Sequence, residues 1–378
     1  MFNTNLKIAI VYDWIDKWGG VERLLLHLHS LFPAAHYYTS AVEYKNAQWA
    51  RGLTIHSSFL QSLPPRLRIQ RALLAPLFPI VFESFRFDDY DLVISVTSAF
   101  AKGIITKPGT LHVCYLLTPP RYLWSHTTDY LSATTSKWGK PVLNHLQKWD
   151  VLASKRPDKY ISLSKTTAER AKLYYDIDSP VIYPPFDTSY WDLKKKRMQK
   201  PKSVSPLKPY YLWVGRMEQY KKPELVLEAA KRNDKDIYIF VGTGSLENDL
   251  RKRAPHNCQF VGLIPDEELS YLYSHAKALI MPQNEDFGYV SLEAQYHKCP
   301  VIAYRAGGAC ETVMDGESGI FFEEQTVDGL VSQLERFDQI SYNLSHSIKQ
   351  VQATMTKEFG IERFNAQFIY QLKQYNAL

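Results

Sequence analysis

Residues 278–313 read ALIMPQNEDFGYVSLEAQYHKCPVIAYRAGGACETV, and the reading of this stretch decides the fold. The apolar run Ala278 to Met281 predicts a strand, and Glu285, Asp286 and Gly288 fall in a loop after it. A helix is expected from about Tyr289 to His297, then a second apolar strand over Pro300 to Tyr304 and a glycine turn at Gly307-Gly308. Strand, loop, helix, strand is a parallel crossover unit, so the loop after the first strand opens where such sheets bind ligands. Glu285 and Glu293 bracket the helix N-terminus, whose backbone N–H groups favour an anion such as a diphosphate. Carboxylates beside a phosphate site repel the phosphates. They fit better as acceptors for sugar hydroxyls on either side of the diphosphate, one for a hexose and one for a ribose. Either glutamate alone would read as a helix cap or a solvated side chain. The pair, set with Gly288 and Gly307-Gly308, favours a ligand site.

Glu285, seven residues and then Glu293, in EDFGYVSLEAQ followed by PVIAYRAGGACETV, resembles the signature of the retaining glycosyltransferases of family 4. The wording is most similar to the mannosyltransferases that build bacterial polysaccharides and O-antigens. The resemblance implies an α/β GT-B fold, two Rossmann-like doubly wound domains facing across a cleft, and catalysis without a metal or other cofactor. It also implies that Glu285 and the backbone after it (Asp286, Phe287, Gly288, Tyr289) hold the donor sugar, while Glu293 holds the ribose. GDP-mannose is the favoured donor.

Working outward, the 378 residues suggest two domains, each able to bury a core. With 45% hydrophobic and 22% charged residues the chain reads as globular. Its longest apolar run, Ala72 to Phe82, is too short to span a bilayer and contains Pro76 and Pro79. Ile8 to Val11, closed by Asp13, reads as a first strand and not a secretion signal, so a cytoplasmic protein is expected. Cys114, Cys258, Cys299 and Cys310 show no metal spacing and no disulfide framework, which agrees with that compartment. A net charge of +6 suits an anionic donor or membrane, and without a recognised motif it does not indicate nucleic acid.

The strand at residues 7–12 leads through Asp13 to Trp18 into Gly19-Gly20-Val21-Glu22-Arg23 and a helix to about Leu31. A glycine pair there lets backbone approach a phosphate, although a tight turn gives the same letters. WGGVER resembles the family's glycine loop, which assigns Gly19 and Gly20 to donor phosphate and acceptor. From Phe59 to Phe87 arginines (Arg66, Arg68, Arg71, Arg86) alternate with apolar residues and prolines. Two readings stand: helices packed on the first sheet with arginines in solvent, or a surface resting on an anionic membrane at the inner face of the plasma membrane and receiving a lipid-linked saccharide acceptor.

After strands at Asp91 to Val96 and Leu111 to Leu116 comes LTPPRYLW (Leu117 to Trp124), similar to the family's HTP-x-RY-x-W segment. Leu117 stands where the family has a His that touches the sugar's 6-hydroxyl. Leucine neither donates nor accepts, so a 6-deoxy sugar suits the position as well as mannose. Arg121 is a candidate contact for acceptor or phosphate, or a salt-bridged loop arginine. Residues 125–156 read as a variable acceptor-side region, and Val181 to Tyr183 as the last strand of the domain.

Lys194 to Pro209 is basic, proline-bearing and without period, which predicts a linker. The expected division is an acceptor domain at 1–193, a linker at 194–209, a nucleotide-sugar domain at 210–350, and closing helices at 351–378 that return to the first domain. Beyond the linker, Tyr210 to Val214 runs into Gly215-Arg216-Met217-Glu218-Gln219-Tyr220-Lys221-Lys222, with Pro223 opening a helix. Gly215 keeps the turn tight, and Arg216 and Lys221 on one loop can converge on a single anion. The segment is similar to the family's VGR-x4-K motif, which assigns those two cations to the diphosphate, with Lys222 as the alternative. Gly242-Thr243-Gly244 is a weak dinucleotide signal because Glu247 breaks the fingerprint. The D-x-D triplets Asp176 to Asp178 and Asp234 to Asp236 read as solvated turns. Two rivals remain: a sugar-nucleotide epimerase, and a non-catalytic partner subunit that binds glycan or nucleotide.

Overall fold

The computed structural model describes residues 6–68, 70–125, 139–204 and 209–377, with the backbone alone at 341–350. Residues 126–138 of the expected acceptor-side region and 205–208 of the expected linker lie outside the described residues. The chain divides into two compact units, Met1–Pro185 with Phe364–Leu378, and Phe186–Arg363.

The first unit holds β1 (Ile8–Tyr12), β2 (His36–Thr39), β3 (Ile55–Ser57), β4 (Leu92–Thr97), β5 (Leu111–Leu116) and β6 (Lys159–Ser162). They form one sheet in the order β3-β2-β1-β4-β5-β6, every pair parallel. β1 and β4 are buried along their whole length, as strands covered on both faces must be, and this is why they read as continuous apolar runs. The chain winds outward from β1 to β3, returns to β4 beside β1, and winds outward again to β6. The switch point therefore falls between β1 and β4, and ligands bind beyond the strand ends at such a point.

Asp13, one residue past β1, closes that junction. Its Oδ1 accepts from Thr97 Oγ1 (2.9 Å) and from the N–H groups of Phe100 and Ala101 (both 2.8 Å). Its Oδ2 accepts from the Ser98 N–H (2.8 Å). Nearby, the fully buried Lys102 ammonium donates to Asp150 Oδ1 (2.5 Å) and Ala99 O (2.7 Å), and Asp150 Oδ2 accepts from Trp124 Nε1 and the Tyr175 hydroxyl. A buried charge pair is tolerated when its remaining hydrogen-bonding capacity is also filled, as it is here.

The second unit repeats the plan. β7 (Tyr210–Val214), β8 (Ile237–Val241), β9 (Cys258–Gly262), β10 (Ala278–Met281), β11 (Val301–Tyr304) and β12 (Gly319–Phe322) form a parallel sheet in the order β12-β11-β10-β7-β8-β9. Its switch point lies between β7 and β10. Each unit is thus a Rossmann-like, doubly wound α/β domain.

Three boundaries differ from expectation. The units divide at Pro185/Phe186, ahead of the basic run, because Lys194, Lys195 and Lys196 close a helix, Thr188–Lys196, capped by the Asp187 carboxylate on the Tyr190 N–H (3.0 Å). That helix is anchored in the second unit by fully buried Trp191, whose ring meets His297 edge-on at 5.1 Å. Its lysines are engaged too, Lys194 with Glu267 (2.7 Å) and Lys195 with the Tyr296 carbonyl (2.6 Å). Val181 to Tyr183 makes an isolated bridge with Ser162 and no strand. The terminal helices run Val327–Phe359 and Ile361–Gln374, and the chain rejoins the first unit at Phe364.

His297 is buried between Ser270 Oγ (2.6 Å) and the Glu293 carbonyl (2.7 Å), and burial, aided by the Lys195 charge, lowers its imidazole to about 4. In the unfolded chain an imidazole protonates near pH ~6.5. Between those values the unfolded state binds the extra proton, so stability rises with pH, is complete above the upper value and is lost through the lower. Urea titrations at neutral pH and near the lower value should show His297→Gln losing less stability than the parent, by on the order of 3 kcal/mol. His112, pushed by burial to about 3, titrates in both proteins and cancels.

Candidate functional site

The expected donor-site residues other than Gly19, Gly20 and Arg121 gather at the carboxyl ends of β7 and β10 in the second unit. After β7, the Gly215 N–H donates to Val241 O (3.0 Å) and Met217 N–H to Thr243 O (2.9 Å), so the loops after β7 and β8 lie backbone to backbone. A Cβ at Gly242 would stand 2.0 Å from the Gly215 carbonyl, and one at Gly244 2.5 Å from that of Met217. The G-x-G letters at 242–244 are therefore accounted for by close loop packing. Gly242 also has φ +121, which disfavours any side chain.

On this support Arg216 Nη2 donates to the Tyr220 hydroxyl at 2.6 Å. The residue is exposed; partial desolvation of the guanidinium works against its charge, but Tyr220, Glu218 and Glu285 outweigh that and raise its pKa above the ordinary value. Lys221 Nζ forms an ion pair with Glu285 Oε1, which also accepts from Gln283 Nε2 (3.0 Å). The two charged side chains are only 15% and 13% exposed, so solvent screens the pair weakly. Lys222, in the left-handed conformation at φ 53, precedes Pro223 at the start of helix Pro223–Arg232.

The loop after β10 is shaped by the glycine turn after β11. Gly308 N–H donates to Glu285 O (2.8 Å), and Glu285 bridges Gly307. A Cβ at Gly307, where φ is +63, would meet the Glu285 carbonyl at 2.2 Å; one at Gly308 would meet Phe287 backbone at 2.4 Å. Gly288 then takes φ 85 and starts the helix Tyr289–Tyr296 with no side-chain N-cap. Phe287 is buried. Asp286 and Tyr289 flank the turn and are half-buried. Glu293, one turn in and 6% exposed, accepts from the Tyr273 hydroxyl at 3.0 Å. The structure thus brings Lys221, Glu285 and the Gly288 helix start together. Gln283, Tyr220 and Tyr273, which no motif marked, complete the hydrogen bonding.

In the first unit Gly19 precedes the helix Gly20–Leu31 in extended backbone, and a Cβ there would touch Glu22 Oε2 at 3.0 Å. Glu22 is buried and accepts from the Tyr12 hydroxyl (3.2 Å). Arg121 starts the short helix Arg121–Trp124 after β5, two strands from β1. Leu117 is 4% exposed and lies in the core. Asp176 and Asp178 are exposed and hold nearby Lys172 (2.8 and 2.9 Å), as a solvated turn would, whereas Asp236 is mostly covered and holds Lys277, 41 residues on (2.9 Å).

Residues 195–351 match the family model Glycosyl transferases group 1. The matched span contains every residue of the second unit that the sequence marked as a candidate for the donor site. The chain is 32% identical over 127 residues, 29% of its length, to a D-inositol 3-phosphate glycosyltransferase of Corynebacterium diphtheriae, and the match spans 30% of that relative. It is 25% identical over 278 residues to an uncharacterized 41.2 kDa protein in the cps region of Klebsiella pneumoniae, covering 69% of this chain and 73% of the other. The fold is shared with HepE from Anabaena, solved in complex with UDP-glucose, at a TM-score of 0.69 and 17% identity over 97% of this chain and 99% of that one.

Two left-handed glycines separate strain from space. A Cβ at Gly316 (φ +76) meets nothing within 4 Å, whereas one at Gly307 strikes backbone. Gly307→Ala should cost about 1–3 kcal/mol more than Gly316→Ala in urea unfolding, since only the first overpacks as well as strains the backbone.

Proposed function

We propose that the chain is a glycosyltransferase that moves a hexose from a nucleotide-sugar donor to a saccharide or lipid-linked acceptor with retention of configuration. The observation that carries this reading is the pairing of Lys221 with Glu285 beside the Gly288 helix start, inside the span that matches Glycosyl transferases group 1. As the glycosidic bond breaks, negative charge develops on the leaving diphosphate. Arg216, Lys221 and the helix N-terminus are already in place to stabilise it, so little reorganisation is needed. Glu285 accepts from sugar hydroxyls while Lys221 turns to phosphate, and Glu293 with Tyr273 faces the ribose. Nothing in this scheme calls for a metal or a covalent nucleophile. The first unit takes the acceptor, with Gly19, Gly20 and Arg121 as its contacts to acceptor or phosphate.

GDP-mannose is the proposed donor, and polysaccharide synthesis at the cell surface the proposed setting, from the resemblance of the Glu285 to Val313 stretch. Leu117, apolar where the resembled motif has a His, is the ground for a second reading in which the sugar lacks its 6-hydroxyl. Arg216→Ala should lower turnover about 100-fold with the fold intact, as removal of a preorganised charge partner does. Calorimetry with GDP-mannose, GDP-fucose, dTDP-rhamnose and UDP-glucose decides the donor. Binding without turnover would leave the partner-subunit reading.

The acceptor reading extends to the membrane. Residues 44–82 contain no Asp or Glu but carry Lys45, Arg51, Arg66, Arg68 and Arg71. Phe59, Leu67, Leu73, Leu77 and Ile80 are exposed on the same segment. The contact we propose is peripheral, at the inner face of the plasma membrane, carried by these exposed apolar and cationic side chains. Sedimentation with phosphatidylglycerol vesicles at low salt should retain the protein, and Leu73→Glu with Ile80→Glu should release it. Equal sedimentation of parent and variant would remove the membrane contact.

A further inference from the structure

Glu293 is held from two sides. The Tyr273 hydroxyl, on the helix Asp266–His275, donates to its Oε2 at 3.0 Å. His297 Nδ1 lies 2.7 Å from the Glu293 carbonyl, which can only accept, so Nδ1 carries the proton and Nε2 accepts from Ser270 Oγ at 2.6 Å. Tyr273 is itself fully buried, its ring centre 5.4 Å from that of His297 and 6.3 Å, edge-on, from that of Trp191.

Rings packed at these distances hold the Tyr273 hydroxyl in one place, and its hydrogen bond to the carboxylate then fixes the Glu293 rotamer. Taking a carboxylate out of water is costly, and packing alone would be served better by an apolar residue at 293. Glu293 stands one turn past the Gly288 helix start and keeps 6% of its surface exposed. It is therefore placed for a ligand whose anionic part sits at that helix end.

We infer that Tyr273 is a positioning residue that makes the site selective for ribonucleotide over 2′-deoxyribonucleotide donors, so that the substrate is not a thymidine diphosphate sugar. The inference rests on the transferase reading above, with Glu293 as the group that accepts from the ribose. Held in one plane by Tyr273, the carboxylate presents both oxygens to a vicinal diol, and each takes one hydroxyl. A 2′-deoxyribose brings a single hydroxyl and leaves part of that acceptor capacity unfilled in a site already shielded from water. A carboxylate free to rotate would instead follow the one remaining hydroxyl and discriminate less. Of the donors named above, GDP-mannose, GDP-fucose and UDP-glucose meet the requirement, and dTDP-rhamnose does not.

The test is calorimetry on the full chain with GDP and UDP, each against its 2′-deoxy analogue, so that base and diphosphate are constant within a pair. For at least one pair the parent should bind the ribonucleotide about tenfold tighter than the analogue. Tyr273→Phe, which keeps the packed ring, should bring that ratio below about threefold, chiefly by weakening the ribonucleotide. Tyr271→Phe, which removes a hydroxyl two residues away on the same helix, should keep the parent ratio. In a Glu293→Gln background Tyr273→Phe should change the ratio no further, because a residue that acts through Glu293 has nothing left to act on. Equal weakening of both members of a pair by Tyr273→Phe, with the ratio kept, is what a purely structural tyrosine predicts, and it overturns the inference. A parent that binds both members equally also overturns it and leaves nucleotide binding in place. A parent that binds neither pair removes the transferase reading and the inference with it.

Discussion

The second unit's site depends on a steric constraint: the backbone from Glu285 to Phe287 lies against Gly307 and Gly308 with no room for a side chain between them. That contact joins the loops after β10 and β11, and the Gly308 N–H donates to the Glu285 carbonyl. With its main chain fixed there, the Glu285 carboxylate points toward the loop after β7, where Lys221 meets it. The left-handed turn at Gly288 and the start of the helix at Tyr289 follow from the same placement. A few glycines thus hold an acid, a base and a helix N-terminus in one register.

The charges add a second constraint. Lys221 and Glu285 are partly desolvated, and removing one partner would leave the other charge without compensation at a cost of about 3–5 kcal/mol if the site were fully buried, less here. A ligand with anionic and hydroxylic parts satisfies both at once: the anion replaces the carboxylate at Lys221, and hydroxyls replace the ammonium at Glu285. Under the proposed function a nucleoside diphosphate sugar meets that requirement, whereas a simple phosphate would take Lys221 and put no hydroxyl in its place at Glu285. Gln283, which donates to the same Glu285 oxygen, holds the carboxylate in place while Lys221 moves.

How much of this was legible follows from the range of the forces. Strands such as β1, β4 and β10 are buried on both faces, so their apolar runs stand out in the sequence, and the loop–helix motif after β10 is local. That Gly215, Arg216, Lys221, Glu285 and Gly288 stand in the loops that follow β7 and β10 was legible for the same reason. The division at Pro185/Phe186 was not, because it depends on Trp191 packing against His297, more than a hundred residues away, while the nearby lysines and prolines read as a linker. Tyr273 looks like one more apolar position on an ordinary helix until the fold sets its hydroxyl against Glu293. Gly242 and Gly244 were legible as glycines, but the cause, a neighbouring backbone at van der Waals limits, belongs to three dimensions.

The two sheets close their switch points by different means, and this bears on which residues remain for chemistry. In the second unit the backbone contacts lie to either side, between the loops after β7 and β8 and between those after β10 and β11, and the switch point itself is spanned by the Lys221–Glu285 ion pair. In the first unit a side chain does the closing: both oxygens of Asp13 are taken by Thr97 and by the N–H groups of Ser98, Phe100 and Ala101. A carboxylate that accepts four such bonds would lose them all on turning to a ligand, so Asp13 is a brace despite its position at the carboxyl edge.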